Sequence, residues 1–170
     1  MLFARRERLI RRILIVEDEP LVAFDNEHGL TDAGYEVVAT VDCLADAAAV
    51  IERERLDLVL TDISLNGDGD GHDVARAAGA KGVPVLFVTA RCSEEGRALG
   101  LACLAKPYSM AVLERALGAL DLALQGRPPK RLPRGLTLFE EIPPRDGEGN
   151  QPKAGGGRAE TCTEPPPPRR

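Results

Sequence analysis

Apolar positions along the chain fall into short runs separated by longer, amphipathic or polar stretches. Ile13–Val16 is an apolar, largely β-branched run that ends in acids, the mark of a buried strand. Residues 20–33 place Leu21, Phe24 and Leu30 near helical spacing, with Pro20 at the opening and Gly34 just past the end, which predicts a helix. Residues 36–40 read as a second strand, and the Ala-rich stretch 43–54 as a helix capped by Asp42. Residues 56–61 form a third strand, 62–71 a polar Gly-rich loop, 72–78 a short helix and 83–88 a fourth strand. Residues 91–100 are polar with about two helical turns, and 101–105 are a fifth strand. The clearest amphipathic helix covers 109–125, with Met110, Leu113, Leu117, Leu120 and Leu124 at three- and four-residue steps and Ser109 as N-cap.

Five alternating strand–helix pairs predict an α/β fold: a parallel sheet covered on both faces by right-handed crossovers. At this size the common solution is the flavodoxin-like doubly wound sheet with strand order 2-1-3-4-5. The last 44 residues differ, holding 10 of the 13 prolines and no sustained periodicity. The reading is therefore a basic extension over 1–10, one domain over 11–126, and a disordered Pro/Gly-rich tail over 127–170. One apolar patch in that tail, residues 136–142, reads as a loose segment, with docking on a partner as its alternative.

Charge sharpens the picture. The net value of −5 hides +4 over 1–12, −12 over 13–126 and +3 over 127–170. An acidic block of that size repels phosphate backbones, so no nucleic-acid binding is expected of the folded part. No apolar run reaches the roughly 18 residues that span a membrane, and no secretory signal opens the chain. The four cysteines at 43, 92, 103 and 162 contain no C-x-x-C pair, which argues against a zinc site or a disulfide framework and favours a reducing, cytoplasmic setting.

In such sheets ligands bind beyond the carboxyl ends of the strands. Strand one ends in Glu17-Asp18-Glu19, strand three in Asp62, strand four in Thr89 and strand five in Lys106-Pro107. Three converging carboxylates repel: each like-charge pair at ~4 Å costs about 1 kcal/mol in water and about 4 at an effective dielectric of 20. One lysine leaves the cluster near −2, so a divalent cation is expected, and hard oxygen ligands suit Mg2+. A carboxylate beside Mg2+, a hydroxyl and an ammonium is a good receiver for a phosphoryl group.

These four segments, Ile13 to Pro20, Asp57 to Ser64, Val85 to Ala90 and Leu104 to Tyr108, occur in order, and the chain from about residue 11 to 125 resembles the CheY-like receiver domain of two-component response regulators. The resemblance implies that Asp62 is the phosphoacceptor, that Asp18 binds Mg2+ directly and Glu17 directly or through water, and that the backbone carbonyl of Ser64 is a further metal ligand. It implies that Thr89 hydrogen-bonds the phosphoryl group, that Lys106 pairs with it, and that Lys106–Pro107 is cis. The phosphoryl donor would be a histidine kinase or histidine phosphotransfer protein, and output would pass by contact with a downstream protein. The family's switch aromatic, three positions before the lysine, is here Cys103, read as a small apolar filler rather than a redox sensor.

Other readings compete. A pseudo-receiver, an interaction module not regulated by phosphorylation, keeps the fold without the chemistry. A small phosphatase would use Asp18 or Asp68 as nucleophile, and an enzyme acting on a separate substrate is otherwise not expected. Asn66-x-Asp68-x-Asp70 imitates the first half of a calcium loop, but the acid needed at loop position 12 is Ala77. His28 is expected on a helix surface, and neither it nor His72 is expected to bind metal or phosphate.

Overall fold

Every residue from Ile13 to Val16 is apolar, so this strand can be buried on both faces only if helices cover the sheet above and below. That is the arrangement found. The computed structural model describes residues 8–127 and 129–139. The strands are β1 (Arg12–Val16), β2 (Glu36–Val41), β3 (Leu58–Thr61), β4 (Val85–Thr89), β5 (Ala102–Ala105) and β6 (Leu136–Leu138). The helices are α1 (Pro20–Asp32), α2 (Leu44–Arg53), α3 (Gly71–Ala80), α4 (Glu94–Leu99) and α5 (Met110–Leu124). Strand order is β2-β1-β3-β4-β5-β6, with β1 to β5 parallel, which is the expected flavodoxin-like order extended by one strand.

The period of two along each strand divides the core into two layers. Ile13, Ile15, Leu58, Leu60, Leu86, Val88 and Leu104 face Leu30 of α1 and Leu113, Leu117 and Leu120 of α5. Leu14, Val16, Val59, Phe87 and Cys103 face Ala47 and Ile51 of α2 and Val74, Ala75 and Ala78 of α3. Of the predicted α5 stripe, Leu113, Leu117 and Leu120 are buried, and Met110 and Leu124 at its ends are partly buried against the same layer.

Several expectations are corrected. Leu21 and Phe24 are 76% and 66% exposed, and the buried arc of α1 is Ala23, Asn26 and Leu30. Asn26 is the reason: its amide exchanges hydrogen bonds with the Tyr108 hydroxyl at 3.1 and 3.2 Å, which fixes the helix rotation. Helix α2 is capped at Cys43 with no side-chain bond, so Asp42 is not its cap. Helix α3 starts earlier than predicted because Asp70 and Asp73 form a reciprocal capping box.

Both domain boundaries also shift. Ile10 is in the core, held by the Leu9 and Ile10 amides donating to Asp121 Oδ1 at 2.7 and 2.8 Å. Residues 136–138, placed in the tail by the sequence reading, pair antiparallel with β5 as β6. The chain closes on this edge with Gly135 at a positive φ of 85°, its carbonyl accepting from the Ala105 amide at 3.0 Å. Leu136 and Phe139 are buried, and the Arg97 guanidinium lies 5.6 Å from the Phe139 ring centre. The expectations of a tail over 140–170 and an extension over 1–7 lie outside the described residues. Among the described residues no helix is long and apolar enough to cross a membrane.

Candidate functional site

The carboxyl ends of β1, β3, β4 and β5 carry Glu17, Asp18, Asp62, Thr89 and Lys106, and side-chain contacts join Glu17, Asp62 and Lys106. Parallel pairing fixes this. Val16 is opposite Thr61, and the Asp62 amide donates to the Val16 carbonyl at 3.0 Å, so the acids after β1 and β3 end level. Thr89 is opposite Ala105, and the Lys106 amide donates to the Thr89 carbonyl at 2.8 Å. The Lys106–Pro107 bond is cis, as the resemblance implies.

Lys106 Nζ sits between two carboxylates, donating to Asp62 Oδ2 at 2.6 Å and to Glu17 Oε2 at 2.8 Å. Glu17 Oε1 accepts from the Glu19 amide at 3.2 Å, and Asp62 Oδ1 accepts from the Ser64 amide at 3.1 Å. Glu17, Asp62 and Thr89 are buried, and Asp18 is half-exposed at the rim. Ser64 is exposed and touches Asp62 through its backbone. Burial pushes the Glu17 carboxyl above its ordinary range, against the pull of the Lys106 hydrogen bond and charge. Burial works against the Lys106 ammonium as well, but its hydrogen bonds to Asp62 and Glu17 outweigh it and raise its pKa.

Taking each group in its ordinary ionisation at pH 7, Glu17, Asp18, Asp62 and Lys106 sum to −2. The side-chain donors are all carboxylate oxygens, so the set fits a hard divalent cation. The loop after Asp62 is held close by Gly71. A Cβ there would lie 2.0 Å from the Asp62 carbonyl oxygen, so only glycine permits the approach.

The chain matches the response regulator receiver domain family over residues 13–117. It belongs to that family. The receiver is 33% identical over 144 residues to the transcriptional regulatory protein PdtaR of Mycobacterium tuberculosis, covering 81% of this chain and 62% of that protein. It thus spans about three fifths of the length of this curated relative. A response regulator receiver protein from Sinorhizobium medicae is 31% identical, with a TM-score of 0.59 over 67% of this chain and 96% of that one. The receiver domain of the sensor histidine kinase PA1611 from Pseudomonas aeruginosa is 32% identical, with a TM-score of 0.56 over 64% and 94%. That domain is described with a magnesium ion coordinated in its active site cleft. Receiver domains act as signalling phosphoacceptors, and this chain has the receiver fold.

Other candidates fall away from the cluster. His28 is on the exposed face of α1, stacked 5.9 Å from the Phe24 ring. Asp70 is spent on the α3 cap and on His72, so it does not complete a calcium loop. His72 is buried, its two ring nitrogens 3.1 Å from Asp70 Oδ2 and 2.8 Å from Ser93 Oγ. Cys103, read as a filler, is disulfide-bonded to Cys92, which corrects the expectation of no disulfide. The two residues are separated by 11 positions along the chain and carry no pairing motif, so only the fold shows that they meet.

Proposed function

We propose that this receiver takes a phosphoryl group on Asp62 in the presence of Mg2+ and signals by contact with another protein. The observation that carries the reading is the Lys106 ammonium bridging Asp62 and Glu17 at the strand tips. Each carboxylate oxygen has two lone pairs. With Oδ1 engaged by the Ser64 amide and Oδ2 by Lys106, Asp62 is aimed and still keeps a free lone pair for attack on phosphorus.

The donor in this reading is a phosphohistidine on a kinase or phosphotransfer protein. An Asp62 oxygen forms the new P–O bond, the P–N bond breaks, and the leaving imidazole takes a proton from solvent. Lys106 is within reach of the incoming phosphoryl oxygens and balances their charge, and Thr89 offers a hydroxyl from the neighbouring tip. Glu17, Asp18, Asp62 and the Ser64 carbonyl are the groups that would hold Mg2+. When bound there, the ion supplies the positive charge that phosphate needs among carboxylates.

The donor would seat on α1. Leu21 and Phe24 are exposed at the helix end that follows Glu17 and Asp18, and an apolar patch of this kind marks a protein contact. A groove of about 540 Å3 beside it is lined by Val22, Asn26, Lys106 and Tyr108 among others, which joins the patch to the site. We also propose a cytoplasmic setting, where kinases and their phosphodonors operate.

Incubation with acetyl phosphate and Mg2+, read by intact mass, tests the reading. One Mg2+-dependent phosphoryl group is expected on the protein and none on Asp62→Asn. Labelling that persists in the variant overturns the assignment.

A further inference from the structure

We propose that Cys92 and Cys103 form a redox-active pair whose oxidation state sets whether the segment between Thr89 and α4 is free to move. The disulfide links the loop that follows β4 to the body of β5. Cys92 is three residues after Thr89, and Cys103 is three residues before Lys106. Cys103 is 1% exposed on β5, opposite Phe87 of β4, in the layer between the sheet and α3. Cys92 is half-buried in the loop that leads into α4. The bond therefore ties that loop to the sheet at the base of the site.

Helix α4 needs such a tie. It has six residues, Gly96 among them, and Gly100 at its end, too short and too glycine-rich to hold itself. Gly100 packs so closely that a Cβ there would lie 2.6 Å from the Phe87 ring. The other links from α4 and its N-cap include the Ser93–His72 hydrogen bond, the Arg76–Glu95 ion pair, the Arg97–Phe139 contact and the packing of Leu99 on the α2–α3 layer. These are non-covalent, and the Arg76–Glu95 pair is about half exposed, so it adds little. Among the described residues the disulfide is the covalent restraint on this segment.

The chemistry balances with a dithiol as reductant. Its thiolate attacks Cys92 Sγ, the sulfur on the more accessible side, and the Cys103 thiolate leaves and takes a proton. The second thiol of the reductant then displaces Cys92 as a thiol. Two electrons and two protons pass to the pair, and the reductant becomes a disulfide. In a reducing compartment such bonds are transient and regulatory, which gives both states a use. The lock itself stands on the geometry. Its consequence, that oxidation restrains the loop following Thr89 beside the phosphoacceptor, rests on the phosphoacceptor reading.

Hydrogen exchange of the full chain, read over 90–100 by mass spectrometry, tests the lock. Treatment with dithiothreitol is expected to speed exchange in that segment about tenfold, because the cross-link no longer restricts local opening. Oxidised glutathione is expected to reverse it. The same difference is expected in Asp62→Asn, which separates the lock from phosphorylation. Cys92→Ser/Cys103→Ser is expected to exchange like the reduced protein in both conditions, with Cys43 left intact. Should that variant fail to fold, alkylation of the wild type by N-ethylmaleimide assigns the bond. Cys92 and Cys103 are expected to react only after reduction. Equal exchange in the two states, or alkylation of both residues after oxidation, overturns the proposal. Loss of acetyl phosphate labelling in both redox states would instead overturn the phosphoacceptor reading alone.

Discussion

Glu17 and Lys106 show how a few side chains set the pH behaviour of the site. Glu17 is 2% exposed, and burial raises its pKa above the ordinary 4.5. A carboxyl whose folded pKa exceeds its unfolded one binds its proton more tightly when folded. Stability is therefore lost as pH rises from about 4.5 through the folded value, and regained as pH falls back. Lys106 runs the other way. Its raised pKa contributes stability that is full below the ordinary 10.5 and lost only as pH rises through its folded value. Between pH 4.5 and neutrality Glu17 thus dominates. Glu17→Gln is expected to flatten that part of the profile and to leave stability at pH 7 equal or higher by up to about 1 kcal/mol, since Asp62 still pairs with Lys106. Urea midpoints across pH 4–8 read this. A loss above about 2 kcal/mol at pH 7 would mean that the Lys106–Glu17 pair outweighs the burial cost.

At the scale of elements, legibility followed how much each segment decides for itself. Strands β1, β3 and β4 are apolar apart from one terminal residue each, Arg12, Thr61 and Thr89, and α5 carries five apolar residues at helical steps, so their sequences suffice. The face of α1 was misread because Leu21 and Phe24 are large and well spaced. Its true anchor is Asn26, and the partner that makes Asn26 buriable, Tyr108, is 82 residues away. Strand β6 was invisible because three residues cannot display a period. The tips bearing Glu17, Asp62, Thr89 and Lys106 were legible, since the sheet rule locates them once strand order is known. The disulfide was not, because chain separation carries no pairing signal. For β6 the energetic test is Phe139→Ala. Phe139 is buried against the α2–α3 layer and Arg97, so the variant is expected to lose roughly 3 kcal/mol in urea unfolding. Labelling at Asp62 should persist, because β6 pairs along β5 away from the carboxylates. An unchanged midpoint would mean that β6 adds nothing to the fold.

For the whole molecule, the carboxylate cluster makes stability depend on its surroundings. A ligand that binds only the folded state stabilises it by about 2.7 kcal/mol at 100 times its Kd. For a chain of this size each kcal/mol moves Tm by roughly 2–4 °C, so saturating Mg2+ is expected to raise Tm by about 5–10 °C. Asp18→Asn is expected to reduce that rise, and calorimetry with Mg2+ against a monovalent control of equal ionic strength measures it. A Tm indifferent to Mg2+ in the wild type would remove the metal from the mechanism.

The antiparallel course of β6 has a further consequence for how this receiver can be wired. The chain leaves α5, returns to the site end of the sheet at Gly135, and then descends β5 until the Phe139 amide meets the Leu101 carbonyl. Four residues at about 3.4 Å each carry it some 14 Å toward the opposite pole. Phe139 therefore lies at the end of β5 opposite the carboxylates. A partner that grips β6 at Phe139 and a phosphodonor over the carboxylates would stand at opposite ends of the sheet, and neither would have to leave for the other to arrive.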